Sequence, residues 1–160
     1  MSICMSLPVE NVQSYPRPPA LEPVAERVRV VLGGIDIVDT VAALRILETH
    51  HAPTYYIPRS DVTATLLSVG GTSFCEWKGR AAYWTLKAGG VVADAAAWSY
   101  PAPTARFALL TEHLAIYATK VDACFVGDVQ VIPQPGNFYG GWVTPNLTGQ
   151  IKGAPGTRHW

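Results

Sequence analysis

This sequence of 160 residues has little cysteine, no excess of charge and no long apolar run. Its three cysteines, Cys4, Cys75 and Cys124, lack CxxC or Cys/His spacing, which argues against a disulfide framework and a structural zinc site. Its 12 basic and 12 acidic residues cancel, so no general field attracts nucleic acid or an anionic membrane. No run approaches the roughly 20 apolar residues of a membrane span. We therefore expect a cytoplasmic protein without a leader, bound metal or cofactor.

The chain is rich instead in short apolar stretches separated by glycine. Gly33-Gly34, Gly89-Gly90 and Gly127-Asp128 each interrupt such a stretch, and glycine permits the positive φ that tight hairpin turns require. Around the two Gly-Gly pairs the same pattern recurs: an apolar strand, the glycines, a second apolar strand and an aspartate. This pattern indicates either two related β units or a chance recurrence. We predict a mainly antiparallel β fold.

One segment has the periodicity of a helix. After a threonine suited to an N-cap, Phe107, Leu110, Leu114 and Tyr117 recur at three- and four-residue spacing. The spacing predicts one principal helix at about residues 105 to 118, packed on the sheet.

Composition divides the chain into three parts. Residues 1–24 contain five prolines and predict an extended arm, while residues 25–133 predict the β domain. Residues 134–160 are rich in glycine and proline but keep Phe138, Tyr139 and Trp142. Disordered segments contain few aromatic residues. We therefore expect an irregular arm that packs on its own domain or on a neighbouring chain.

The stretch at residues 74–101 holds three of the five tryptophans. If Lys78-Gly79 is a two-residue turn, the strand pleat sends one set of side chains to a shared face. These are Cys75, Trp77, Arg80, Ala82, Trp84 and Leu86. Trp98 follows on the next strand. The rings either fill the sheet core or converge on a concavity that binds a flat or cationic ligand.

Several motifs along the chain resemble one bacterial family, the domain of unknown function 427, which carries a provisional nucleotidyltransferase label. They are SYPRPP (14 to 19), VRVVLGG (28 to 34), LRILETHHAPTYYIP (44 to 58), FCEWKG (74 to 79), AAWSYPAP (96 to 103), VDACFVGD (121 to 128), PQPGNFYGGW and KGAPGTRHW. The resemblance implies an all-β, tent-like or barrel-like fold with a small helical element and no settled activity.

The residues give the nucleotidyltransferase label little support. Nucleotidyl transfer needs paired carboxylates for Mg²⁺ and a phosphate cradle. Asp36 and Asp39 are close in sequence, but their odd spacing predicts opposite faces of a strand. No glycine-rich loop leads from a strand into a helix with a following Lys and Ser/Thr.

Two classes of function remain open. The first is binding or processing of a small organic metabolite in an aromatic-lined pocket; the second is a β scaffold whose aromatic arms dock on a partner, with a homodimer through the terminal arms as one arrangement. The residues predicted to bind a ligand are Arg45, Glu48, Tyr55, Trp77, Lys78, Tyr83, Trp84 and Trp98. Glu48, Cys75 and Lys78 are candidates for a catalytic role, since a nearby cation activates a thiol and a carboxylate can balance a cationic ligand.

Overall fold

The computed structural model describes residues 7–75, 78–134, 140–149 and 151, with the backbone alone at residues 72–74. Short strands dominate it, as expected for a chain interrupted so often by glycine and proline. The strands are β1 (Glu10–Asn11), β2 (Ala20–Pro23), β3 (Val28–Leu32), β4 (Ile35–Thr40), β5 (Leu44–Leu47), β6 (Thr54–Pro58), β7 (Thr65–Cys75), β8 (Gly79–Ala88), β9 (Val91–Ser99), β10 (His113–Ile116), β11 (Ala123–Val126), β12 (Val129–Gln130), β13 (Ile132–Pro133), β14 (Trp142–Val143) and β15 (Leu147–Thr148). Short 3₁₀ helices lie at Val12–Ser14, Arg59–Asp61, Ala105–Leu110 and Ala118–Lys120.

Two antiparallel sheets carry the fold. The larger has seven strands in the order β2-β5-β6-β10-β9-β8-β7, and the smaller has four in the order β12-β11-β3-β4. The main core lies between them and includes Val30 and Ile37 from the smaller sheet and Ile57, Ala97 and Ile116 from the larger. We call the side of the seven-stranded sheet that faces this core its inner face, and the opposite side its outer face.

The outer face carries a second apolar cluster. Tyr56, Trp98 and Tyr100 belong to it, and the 3₁₀ helix Ala105–Leu110 covers it through Phe107 and Leu110. Because alternate residues of a strand point to opposite faces, a segment that is buried on both faces is apolar at consecutive positions. The sequence YYI in β6 is such a segment.

The predicted glycine turns are confirmed. Tight turns join β3 to β4, β8 to β9 and β11 to β12, and Gly33, Gly89 and Gly127 within them have φ of +62°, +57° and +59°. The turns at Gly33 and Gly89 also contact each other, backbone to backbone. A Cβ added at Gly33 would lie 3.0 Å from the carbonyl carbon of Ala88 and closer still to its oxygen. The turns at the two Gly-Gly pairs therefore meet where a side chain does not fit.

The segments at the two ends of the chain pack on the domain. β1 pairs in parallel with β15, and β13 pairs with β14. Trp142 is 1% exposed, donates its indole N–H to the carbonyl of Ile116 at 2.9 Å and stacks on Tyr55 with ring centroids 5.1 Å apart. Trp142 is therefore buried in its own chain, as expected for this arm, whereas Phe138 and Tyr139 lie outside the described residues.

The prediction of a mainly antiparallel β fold is confirmed, and the described strands form separate sheets rather than a closed barrel. The predicted helix at residues 105 to 118 is wrong in extent. A 3₁₀ helix covers Ala105–Leu110, with a non-helical residue at Phe107, and β10 begins at His113. Leu114 pairs with Ile57 of β6, and this long-range pairing outweighs a local spacing that fits a helix equally well.

The predicted two-residue turn at Lys78-Gly79 is also wrong. Cys75 pairs with Gly79, so three positions rather than two separate the paired residues, and Gly79, the first residue of β8, has a φ of +113°. A positive φ at this position favours glycine. The longer turn shifts the register, so that Cys75 packs with the outer-face cluster and Trp84 with the inner core.

Candidate functional site

The outer-face cluster takes its rings from alternate positions of neighbouring strands. Tyr56 of β6 points outward because its chain neighbours, Tyr55 and Ile57, belong to the inner core. On β9, Trp98 points to the same face, and its register partner Tyr83 on β8 lies beside it. We call Tyr56, Tyr83, Trp98, Tyr100 and Tyr117 the tyrosine cluster.

The rings of the tyrosine cluster make two tilted contacts. The centroids of Trp98 and Tyr117 are 4.4 Å apart with an interplanar angle of 41°, and those of Tyr56 and Tyr100 are 6.4 Å apart at 47°. Tilted arrangements are favoured over face-to-face stacking because of the ring quadrupoles. Tyr56 is 0% exposed, whereas Tyr83 and Tyr117 are half-buried. The cluster thus has a buried floor and an accessible rim.

Cys75 and Lys78 lie at one end of the cluster. The half-buried thiol of Cys75 packs against it, and the Lys78 ammonium lies 5.7 Å from the centroid of the Tyr100 ring. The Lys78 carbonyl accepts a hydrogen bond from the Thr104 N–H at 3.0 Å, which ties this loop to the segment after β9. Within the described residues, no carboxylate forms an ion pair with the Lys78 ammonium. Lys78 therefore places a positive charge beside the rings.

The hydroxyl of Tyr56 is the unusual polar group of the cluster. Burial raises the pKa of Tyr56, and the nearby Cys75 thiol adds to the effect, while Trp98 and Tyr100 act in the opposite direction. Trp98 and Tyr100 lie close enough to lower the pKa of Tyr56, but neither side chain has the geometry of a hydrogen bond to the Tyr56 hydroxyl. The hydroxyl is fully buried and has no hydrogen-bond partner in the described part of the chain. Burial likewise raises the pKa of Tyr100, with Lys78 opposing it.

The predicted convergence of three tryptophans is wrong, because Trp84 and Trp98 lie on opposite faces of the sheet. Trp84 pairs with Ala97 and faces inward, whereas Trp98 pairs with Tyr83 and faces outward, so the sheet separates the two indoles. Trp77 lies outside the described residues. Trp84 instead lines a small pocket with Arg59. Its ring is not part of the tyrosine cluster.

Arg45 and Tyr55 lie on the inner face, away from the tyrosine cluster. The Arg45 guanidinium binds Glu10 through two N–H groups at 2.8 and 3.1 Å and Glu22 through its Nε at 2.6 Å. Burial raises the pKa of Glu10. Hydrogen bonds from Arg45 and Tyr15 lower it by a larger amount, so the pKa lies below its ordinary value. This network holds β1 and β2 to β5, so its groups already have partners within the chain.

Glu48 follows β5 in a loop and is not close to the rings. Its carboxylate lies 3.7 Å from the Arg17 guanidinium and 3.9 Å from the His51 ring nitrogen. Of the predicted site residues, the structure therefore brings together Cys75, Lys78, Tyr83 and Trp98. The other predicted site residues that the structure describes lie apart from these four: Arg45, Glu48, Tyr55 and Trp84.

Sequence reasoning missed Tyr56, Tyr100 and Tyr117 as members of the site. The signal for Tyr100 was its spacing of two from Trp98, which on a strand gives a common face. For Tyr56 the signal was the adjacent Tyr55: two neighbouring tyrosines on a buried strand necessarily serve both faces.

The carboxylates of the first hairpin do not form a metal pair. A bulge between Val30 and Val31 changes the alternation of β4, so Asp36 and Asp39 are both exposed. Each binds an arginine, Asp36 to Arg29 at 3.3 Å and Asp39 to Arg27 at 2.6 Å. A search of the described residues finds no group of three or more His, Cys, Asp or Glu that is placed to hold a metal ion. Nor does any helix in the described ranges have the length and apolarity to cross a membrane.

Comparison with known proteins gives the family and no activity. No curated protein matches the chain. A family model described as Domain of unknown function (DUF427) matches residues 20–127, which span the strands from β2 to β11 and include the whole tyrosine cluster. The match covers well over half of the sequence, and the chain therefore belongs to the DUF427 family.

Proposed function

We propose that this protein is a cytoplasmic binding protein for a small, flat organic molecule, which it holds at the tyrosine cluster. The observation that carries the proposal is the buried Tyr56 hydroxyl without a hydrogen-bond partner in the described chain. Nearly all buried polar groups in native proteins are hydrogen-bonded, and leaving one unpaired costs about 1–3 kcal/mol. An oxygen acceptor on a ligand would restore that hydrogen bond.

The surroundings of Tyr56 support a flat ligand. Binding pockets are composed mainly of apolar and aromatic side chains with a few polar groups that set orientation. Half-buried Cys75, Tyr83 and Tyr117 border the buried rings of Tyr56 and Trp98 and provide the accessible side of the cluster. A planar molecule that enters from this rim would stack on aromatic faces.

The charge beside the rings favours a neutral or anionic ligand. The sequence suggested a cationic ligand with Glu48 as its counter-charge, but Glu48 lies near Arg17 and His51. The charged group beside the cluster is the Lys78 ammonium, 5.7 Å from the Tyr100 ring. Aromatic carboxylates and phenols combine a flat ring with the oxygen acceptor that Tyr56 and Lys78 would recognise.

The experiment is a thermal-shift screen of aromatic carboxylates and phenols with wild type, Tyr56→Phe and Tyr55→Phe, with Mg-ATP as the comparison for nucleotide binding. A ligand of the folded state raises the melting temperature by mass action. Phenylalanine at position 56 keeps the ring and removes the unpaired hydroxyl, so the variant should fold with unchanged or higher stability. We expect Tyr56→Phe to lose the ligand-dependent shift and Tyr55→Phe, altered on the opposite face, to keep it. Equal shifts in wild type and Tyr56→Phe, or a shift with Mg-ATP alone, would contradict the proposal.

An interaction scaffold is the second candidate, and strand β7 is the observation in its favour. β7 is an edge strand of the seven-stranded sheet, and among the described residues only β8 pairs with it. The sequence from Val62 to Cys75 has no charged residue, and Leu67 is 45% exposed. Natural edge strands usually carry charges that block pairing with other chains. Light scattering of wild type and Leu67→Lys tests this alternative, since a sheet-extended oligomer should dissociate in the variant.

A further inference from the structure

The small pocket between Arg59 and Trp84 is a recess where the end of β9 meets the start of β10. It has a volume of about 140 Å³, and its walls include Arg59, Trp84, Ser99, Glu112 and His113. Drug-sized ligands occupy pockets of roughly 300–1,000 Å³, so this recess suits a much smaller molecule. Tyr100 also borders it, which places it next to the tyrosine cluster but on the side of the strand that carries Trp84.

The Arg59 guanidinium stacks on the Trp84 ring beside this recess. Its carbon lies 4.7 Å from the centroid of the Trp84 ring, and the Arg59 backbone N–H donates to the Glu112 carbonyl at 2.8 Å. The Trp84 indole is fixed in turn, because its N–H donates to the Ser99 hydroxyl at 3.0 Å. No carboxylate of the described residues pairs with the guanidinium. A stacked guanidinium keeps its planar N–H edge available for an oxyanion.

Glu112 adds a negative charge to the rim of the same recess. Its φ is +62°, a left-handed conformation that few residues other than glycine adopt without strain. Strain of this kind persists where surrounding contacts fix the backbone, here the hydrogen bond from Arg59 to the Glu112 carbonyl. Because Glu112 lines the recess, a second anionic group on a ligand bound at Arg59 would meet a like charge. A ligand with a single anionic group would avoid that repulsion.

We propose that this recess binds the carboxylate of a small monoanionic organic acid, with Arg59 as the oxyanion donor, Trp84 as its stacking support and Glu112 as the group that excludes dianions. The site is separate from the one proposed at the tyrosine cluster and does not depend on it. Arginine suits this role because its planar fork donates two parallel hydrogen bonds to one carboxylate.

The test is a titration of the ¹⁵N-labelled protein with sodium propionate, at constant ionic strength maintained with sodium chloride. The signals are the Arg59 Nε–H and the Trp84 indole N–H. Propionate has no ring, so it does not satisfy the requirements of the tyrosine cluster. We expect saturable shifts of both signals in wild type and in Tyr56→Phe, which separates failure of this proposal from failure of the first.

Three variants and one control variant define the role of each charge. Arg59→Gln should weaken propionate binding by at least about tenfold, which corresponds to a loss of roughly 1.4 kcal/mol of binding free energy. The affinity of Arg59→Lys for propionate should lie between those of wild type and Arg59→Gln, because lysine keeps the positive charge but lacks the two parallel N–H donors of arginine. Arg106→Gln, which removes an exposed arginine elsewhere, should leave the affinity unchanged. Glu112→Gln should raise the affinity for malonate relative to propionate.

Other results would overturn the proposal. Shifts that rise linearly without saturation indicate a general salt effect. Equal propionate affinities in wild type and Arg59→Gln would show that Arg59 does not bind the carboxylate. An unchanged ratio of malonate affinity to propionate affinity in Glu112→Gln would show that Glu112 does not exclude dianions.

Discussion

The contact between the two glycine turns gives a sharp test of the fold, the substitution Gly33→Ala. Alanine at a φ of +62° carries a strain of about 1–2 kcal/mol, partly offset by about 0.4–1 kcal/mol from the less flexible unfolded chain. At Gly33 the new Cβ also meets the Ala88 carbonyl carbon at 3.0 Å, so the turns must separate. Forced overpacking adds about 1–3 kcal/mol. We expect a total loss of about 1–5 kcal/mol, with most of it from the contact between the turns.

The matched control is the neighbouring glycine. Gly34 has a φ of +74°, but no atom lies within 4 Å of its added Cβ, so Gly34→Ala carries the strain without the clash. Urea denaturation measures both free energies of unfolding, with an unchanged m-value as evidence that only stability has changed. Gly89→Ala and Gly90→Ala repeat the comparison on the second turn. If Gly33→Ala and Gly34→Ala shift the urea midpoint equally, the two turns do not touch as described.

Three further outcomes follow from named contacts. Trp142→Ala should lower the free energy of unfolding by about 3–5 kcal/mol in urea denaturation, since the indole is 1% exposed; a smaller loss than 1 kcal/mol would mean that the arm is not docked. The pKa of Glu10 in the folded state is below its ordinary value of 4.5, so its stabilising effect is full above that pH and is lost as pH falls through the folded pKa; the stability difference between wild type and Glu10→Gln should therefore shrink in acid, and a constant difference would contradict this. In a Cys4→Ser background, a thiol reagent at pH 8 should label half-buried Cys75 and spare Cys124, whose pKa burial raises to about 12; equal labelling rates would show that Cys124 is accessible.

The features that the sequence predicted well are those fixed by short-range chemistry. A turn that joins adjacent strands needs positive φ at particular positions, and glycine satisfies that need wherever it occurs, so Gly33 and Gly89 were identifiable without any long-range information. The alternation of apolar residues identified most strands for the same reason. Burial of Trp142 followed from the rarity of exposed large rings.

The features that the sequence predicted poorly depend on pairing between distant segments. Residues 113–116 fit a helix as well as a strand by spacing, and the choice is made by β6 and β9, which lie on either side of β10 in the sheet. Arg45 and Glu48 are three positions apart, a spacing at which an ion pair can form across one helical turn. In the structure Arg45 instead binds Glu10, 35 positions away, and no local pattern contains that information.

The length of one turn decides the chemistry of the candidate site. A two-residue turn would pair Cys75 with Ala82 and place the thiol on the face of Trp84, whereas the observed turn pairs it with Gly79. The pairing moves by an odd number of positions, and an odd shift exchanges the faces of a strand because side chains alternate. The thiol therefore joins Tyr56 and Trp98 on the outer face, and Lys78, the last residue of the turn, brings its ammonium to Tyr100. The sequence predicted an acidic counter-charge, Glu48, beside the rings, whereas the charge that the structure places beside Tyr100 is the Lys78 ammonium, and this difference is why the ligand proposed above is neutral or anionic.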